Sequence, residues 1–289
     1  MNGQSTTENI KRGYLNEDFL FFKLKDQKKS EYELHYHDFS KIIFFISGDV
    51  TYIIEGKSYK LRPWDILLVG KDDLHLPIIS FNEPYERIIL WINPLFLEKY
   101  NAPSTDLLNC FKVANERKLN LIRLNSVQLD TLKEQLSNLE KAVKDDGFGS
   151  EVLRKALFLQ LIVEINRLYL EIDNYTKLED IKYDPRIEEI LNFINSNLGN
   201  DLSIELIANN FYLNKYYLMH LFKKETGYTL YGYIQKKRLR KAAELIKSGL
   251  QSSEVCSLCG FIDYSSFVRA FKKEFQFSPK QYFKASSSN

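Results

Sequence analysis

Cysteine is scarce in this 289-residue chain. Its three cysteines, Cys110, Cys256 and Cys259, are too few and too odd in number for a disulfide framework. Glycine (12) and proline (7) are sparse as well, which excludes collagen-like and low-complexity chains. No apolar run approaches the roughly 20 residues that span a bilayer. The opening MNGQSTTENIKRG has no apolar stretch of the signal-peptide kind. A cytoplasmic protein without a membrane partner is therefore expected. Neither a phosphate-binding glycine loop nor a nucleophile–base motif stands out, so no catalytic residue and no cofactor are expected, and the chain reads as a non-enzyme.

What is present is an ordinary globular composition, 44% hydrophobic and 27% charged, with 18 tyrosines and 20 phenylalanines available for cores and ligand-facing rings. The length suggests about two domains. A net charge of +2 hides an asymmetry. Residues 1–185 carry 25 basic and 29 acidic groups, whereas 186–289 carry 15 and 9. Within 214–247 nine basic residues meet two acidic ones. A basic last third points to a polyanionic partner, with a solvated basic face as the bland alternative.

From about 19 to 93 the chain is built of short β-branched or aromatic segments, FLFFKL, YELHYH, KIIFFI, VTYIIE, KSYKLR, DILLVG and ERIILWI, punctuated by SGD, EGK, RPWD and GKDD. Such spacing predicts an antiparallel sandwich or barrel. After Pro103 the period changes. Leu129, Leu132, Leu136, Leu139 and Val143 mark an amphipathic helix with a narrow seam, and 150–171 a second helix that is apolar over a wider arc. Together they form a hairpin that either completes one core or also pairs with a second copy, and a homodimer is the expectation. Residues 173–185, ending in Asp-Pro, read as a linker.

The last hundred residues contain a repeat. Phe222-Lys223-Lys224-Glu225 recurs 49 positions later as Phe271-Lys272-Lys273-Glu274, and Tyr233 is matched by Tyr282. Each copy is expected to be a short helix, a tight turn and a longer helix. Ser203 and Asn214 are the caps in copy one, with Ser252 or Ser253 and Asp263 in copy two. The outer face of the first long helix carries Lys215, Tyr216, Met219, His220 and Lys223. That of the second carries Tyr264, Ser265, Val268, Arg269 and Lys272. Aromatic and hydrogen-bonding groups suit base edges, and lysines suit phosphates. The basic segment YIQKKRLRKAAELI would hold two such heads on a rigid spacer, able to enter major-groove turns about 34 Å apart. Cys256 and Cys259 fall on packing positions of the repeat and are expected in the core, not on zinc.

These residues resemble the DNA-binding domain of AraC/XylS-type bacterial transcription regulators over roughly 185–284, through FKKE-x-G and G-F-x(5)-F-x-x-x-FK. The resemblance implies two helix-turn-helix motifs and carries the base-facing role onto Tyr216, Met219, His220, Tyr264, Ser265, Val268 and Arg269. It departs at His220, where arginine is common, at Tyr212, where many members have a turn glycine, and at Gln276, which replaces the glycine kept at Gly227.

The first segment, HYHDFSKIIFFISGDVTYIIEGKSYKLRPWDILLVGKDDLH, resembles the cupin-type sensor of the same regulators. His35, His37 and His75 fall at cupin metal-ligand positions, the first two alternating on one expected strand. Lys41 stands where enzymatic cupins usually add a carboxylate, so no metal is expected. A small-molecule pocket lined by His35, His37, Tyr52, His75 and Trp91 is preferred.

The expected fold class is α+β multidomain. It comprises an arm (1–17), a cupin-like sensing barrel (18–105), a helical dimerisation hairpin (106–172), a linker (173–185) and an all-α tandem helix-turn-helix domain (186–289). The expected function is sequence-specific transcription regulation controlled by a small molecule, a sugar or related metabolite fitting the resemblance. The expected partners are double-stranded operator DNA, the effector, a second copy and RNA polymerase. A cupin metalloenzyme with an accessory DNA domain and a ligand-independent DNA-bridging protein are the alternatives.

Overall fold

The computed structural model describes residues 15, 17–26, 34–80, 82–172, 181–182 and 184–286, and it divides into two compact units, Met1–Lys182 and Tyr183–Asn289. The expected arm lies outside the described residues except for 15 and 17, as do 173–180 and 183 of the expected linker.

The first unit holds β1 (Phe19–Asp26), β2 (Ser40–Ser47), β3 (Asp49–Ile54), β4 (Lys57–Lys60), β5 (Ile66–Val69), β6 (His75–Ser80) and β7 (Tyr85–Ile92), with two-residue strands β8 (Leu121–Ile122) and β9 (Ile181–Lys182). The β-rich region takes the form of two antiparallel sheets, ordered β1-β7-β2-β5-β8 and β6-β3-β4-β9. Strand alternation gives β2 two different faces. Ile42 and Phe44 join Ile66, Leu68, Leu90 and Ile92 under a helical layer. Ile43 and Phe45 join Val50, Tyr52, Ile54, Leu67 and Val69 between the sheets.

Two sequence expectations change here. The described part of YELHYH is no strand; it makes only an isolated backbone bridge between His35 and His75. HLPIIS, interrupted by Pro77, does form a strand, β6. It sits at a sheet edge, where the missing proline N–H is tolerated. The turn before β5 carries Trp64 at φ 69, a left-handed conformation that favours glycine. Asp65 beside it is held by Arg123 through two bonds of 3.0 and 3.2 Å.

The helical layer comprises α1 (Pro94–Glu98), α2 (Asn109–Arg117), α3 (Ser126–Lys144) and α4 (Ser150–Leu170). Asn125 and Gln128 form a capping box that starts α3. Of its seam, Leu132, Leu136 and Leu139 are buried with Phe158, Leu161, Ile162 and Ile165 of α4, Val143 packs on the same core and Leu129 stays half-buried. Phe148, Val152 and Leu153 around the start of α4 stay exposed.

The second unit is helical: α5 (Pro185–Ser196), α6 (Ile204–Asn210), α7 (Lys215–Thr226), α8 (Leu230–Lys247), α9 (Ser252–Leu258), α10 (Tyr264–Phe275) and α11 (Pro279–Ser286). Asp-Pro opens a helix here, with Asp184 capping and Pro185 in the first turn. Ser203, Asn214 and Asp263 cap α6, α7 and α10 as the repeat predicts. Neither Ser252 nor Ser253 is the cap of α9. That position is Gln251, without a side-chain bond, and the Ser252 hydroxyl is turned to the Tyr264 hydroxyl at 2.8 Å. Cys256 and Cys259 are buried free thiols.

The two copies share their turns. Tyr212 (φ 53) and Gly260 (φ 74) close the short helices, and Gly227 (φ 75) and Gln276 (φ 63) close the long ones. All four are left-handed, so each copy has one residue with a side chain where glycine is favoured. Gly260 has no such latitude. A Cβ there would lie 2.6 Å from the Leu198 carbonyl and 2.7 Å from the Arg238 guanidinium. Arg238 in α8 donates to the carbonyls of Leu198 at 3.0 Å and Asn200 at 2.6 Å. Lys236, also in α8, reaches Glu274 of α10 at 2.9 Å. Spacer charges thus fix the spacer to its neighbours. By chemical denaturation, Gln276→Gly should stabilise the second unit by about 1 kcal/mol, whereas Gly260→Ala should destabilise it by about 2 kcal/mol or more.

Candidate functional site

The five residues expected at the sensor site do come together. His35 lies 4.9 Å from His37 and 4.3 Å from His75 between ring centroids, and His37 lies 5.3 Å from His75. Tyr52 on β3 stacks on His75 at 6.1 Å, and Trp91 on β7 lies parallel to His37 at the same distance. The backbone bridge supplies what a strand was expected to supply. His35 N–H donates to the His75 carbonyl at 3.3 Å and His75 N–H to that of His35 at 3.0 Å.

Two residues outside the expected set complete the cluster. Phe39 stacks on His37 at 4.5 Å and tilts against Trp91 at 4.8 Å. Lys41 is the more consequential one. On β2 it shares parity with Ile43 and Phe45, so strand geometry points it between the sheets. It is 6% exposed, and its Nζ lies 3.3 Å from His75 Nε2 and 5.6 Å from the Trp91 ring centroid. The pattern KIIFFI signalled this inward direction.

The hydrogen-bond chemistry follows from one fixed tautomer. His75 Nδ1 lies 2.8 Å from the Asp73 carbonyl, which only accepts, so Nδ1 carries the proton and Nε2 accepts from Lys41. Burial pulls the Lys41 amine down to about 7, aided by the like charge of Arg87. Burial also depresses His37 and His75, with Lys41 adding to both, so both imidazoles are neutral at pH 7. Both His37 ring nitrogens and the Trp91 indole N–H are buried without a hydrogen-bond partner.

Nitrogens of the three histidines lie within 4.8 Å of one another, a spacing at which a cupin metal is conceivable. The cluster does not fit one. His75 Nε2, its available lone pair, is already taken by Lys41, and that amine, charged when protonated, would stand beside any bound cation.

The second candidate surface lies on α7 and α10. Tyr216, His220 and Lys223 are exposed on α7, and Tyr264, Ser265, Arg269 and Lys272 on α10. Lys215, Met219 and Val268 are half-buried beside them. Leu218, Leu221 and Phe222 of α7, with Phe267 and Phe271 of α10, face the core. Tyr217, next to Leu218, is exposed and accepts from Arg186 at 3.0 Å. Arg269 donates to the Ser266 hydroxyl at 3.1 Å and its charge acts on the Asp263 carboxylate, while its side chain stays exposed. Lys215 is less available, being paired with Glu205 at 3.2 Å.

Comparison with known proteins gives two matched families, an AraC-like ligand binding domain over residues 23–162 and a helix-turn-helix domain over 207–285. Among curated proteins, the HTH-type transcriptional activator RhaS of Klebsiella pneumoniae is 23% identical over 253 residues, 87% of each chain. RhaS of Escherichia fergusonii is 24% identical over 249 residues, 86% of each. Solved structures with similarity include the C-terminal domain of the response regulator yesN from Fusobacterium nucleatum, 30% identical over 35% of this chain and 99% of that one, TM-score 0.34. They also include ToxT from Vibrio cholerae, 19% identical over 93% of this chain and 98% of that one, TM-score 0.39.

The buried bases give a pH dependence. Unfolding lets Lys41 regain its ordinary value of 10.5, so between about pH 7 and 10.5 the unfolded chain holds the extra proton. Stability therefore falls as pH drops through that range. Below 6.5, His37 and His75 protonate only on unfolding, with the same sign. Above 9, Cys110, pushed up to about 12 by burial, acts in the opposite direction. The melting temperature of the first unit should thus fall from pH 9 to pH 5, each titrating base contributing up to about 1.4 kcal/mol per pH unit. Thermal melts across that range check it, and in Lys41→Met the decline between pH 9 and 7 should flatten.

Proposed function

The chain belongs to the AraC-type transcription regulators, and on that premise we propose that a small-molecule effector at the His35–Trp91 cluster controls how α7 and α10 engage promoter DNA. One observation carries the reading. A single chain combines a buried polar cluster with unmet hydrogen-bond donors and two repeated helices whose outer faces present aromatic, basic and hydroxyl groups.

On DNA, α7 and α10 enter successive major-groove turns. Tyr216, Met219 and His220 of α7, with Tyr264, Ser265, Val268 and Arg269 of α10, face base edges, Arg269 being suited to guanine. Lys215, Lys223 and Lys272 sit against phosphates, which position the protein without reading sequence. The caps at Asn214 and Asp263 set where each reading helix begins, and the joints from Lys236 and Arg238 hold the spacer between them.

Control is linkage. An effector that binds one arrangement of the sensor better than another shifts DNA engagement by no more than that difference in affinity. Dimerisation through Phe148, Val152 and Leu153 would present two such readers together, and their exposure supports it. RNA polymerase is the further partner such a regulator engages at a promoter. The sensor acts by binding, not catalysis. No described helix is long and apolar enough to cross a membrane, which suits a protein working on cytoplasmic DNA.

Fluorescence anisotropy on a selected operator tests the division of labour. Arg269→Ala should cost about 1–3 kcal/mol on that operator and relax preference at one position, and His220→Ala should relax it at the other half-site. Lys223→Ala should weaken all sequences alike and lower the salt slope by about one. Equal losses on operator and scrambled DNA for all three would contradict it.

A further inference from the structure

The donors and acceptors of the sensor cluster do not balance. Lys41 offers three donors, of which His75 Nε2 takes one. The Trp91 indole N–H can only donate, is buried and has no partner. His37, 9% exposed, has two buried ring nitrogens without partners, one of them a donor in the neutral ring. The other charge bearing on Lys41 is Arg87, of like sign, and Arg87 itself is paired with Asp26 at 2.7 Å. A strand position whose neighbours on the same face are Ile43 and Phe45 has thus been given a basic group with no counter-ion among the described residues.

Burying such a group without an anion is costly. An apolar residue would continue the inter-sheet core here, and the one bond that Lys41 makes, to His75 Nε2, leaves its charge unanswered. What the cluster lacks is acceptors, and what surrounds the amine is flat apolar surface, with Phe39 5.9 Å and Trp91 5.6 Å from Nζ to the ring centroids. We infer that the effector is a small organic carboxylate, its anionic end on Lys41, His37 and Trp91 and its body against the Phe39 and Trp91 rings. This deepens the reading of the cluster as the effector site and depends on it. A neutral polyol would leave Lys41 without a counter-ion, and a divalent cation would face it at close range. The carboxylate supplies the missing charge and enough lone pairs for the four unmet donors, two on Lys41 and one each on His37 and Trp91.

The test is calorimetry and thermal melting of the full chain with matched pairs: benzoate and benzamide, 3-phenylpropionate and its amide, lactate and lactamide, glucuronate and glucose, with zinc chloride as a separate arm. At least one carboxylate should bind and raise the melting temperature of the first unit, with its neutral partner at least tenfold weaker. Lys41→Met should lose that discrimination at least tenfold and, free of ligand, melt no lower than the parent. Equal binding of the neutral partners, retention of carboxylate binding in Lys41→Met, binding of zinc alone, or no binding by any member would overturn the inference. Operator binding by both proteins without ligand, followed in parallel, separates the two failures: its presence keeps the regulator reading even where the carboxylate fails, and its absence removes that reading on its own.

Discussion

The contact between Lys41 Nζ and His75 Nε2, 3.3 Å long and buried between two sheets, is the constraint on which the sensor end depends. It exists because strand alternation leaves β2 no other place for residue 41. It orients His75 through the opposing bond to the Asp73 carbonyl, and His75 in turn holds His35 by two backbone bonds and stacks on Tyr52. A cluster resembling a metal site in its histidines is thereby occupied by a protein cation. The same residues that make it unfit for a metal make it rich in donors.

The reader obeys a different constraint, the left-handed turn. Each helix-turn-helix copy requires two positive-φ positions, and glycine is compulsory only where backbone approaches backbone, as at Gly260 beneath Leu198. Tyr212, 97% exposed, and Gln276, also exposed, meet no such neighbour, so these departures from the family pattern carry backbone strain without a clash. Much of the basic character of the spacer is spent internally. Lys236 and Arg238 serve joints within the domain, whereas Lys223, Arg269 and Lys272 stand exposed on α7 and α10.

The sequence was most legible where a period or a repeat repeats chemistry. The 49-residue offset located both helix-turn-helix motifs, three of their caps and the outer faces, because helix periodicity separates inside from outside. The three histidines were recognisable from their motif. The strand expected around His35 and His37 is absent from its described part, since contacts of His35 are settled by a distant partner, His75, and not by local alternation. β6 was hidden by Pro77, which only its edge position permits. Lys41 was noticed for the carboxylate it replaces, yet its parity with Ile43 and Phe45 already said that it points inward.

The central claim is that one cluster senses and a separate pair of helices reads. The most direct measurement is binding selection of fragmented source-genome DNA by the full chain and by Lys41→Met, each with and without a small-molecule extract of the cells. The account predicts that both proteins retain the same few intergenic sites, each with two short motifs about one helical turn apart. It also predicts that the extract changes retention by the parent and leaves Lys41→Met unaffected. Uniform retention along the genome, or an identical response of the two proteins, would contradict it.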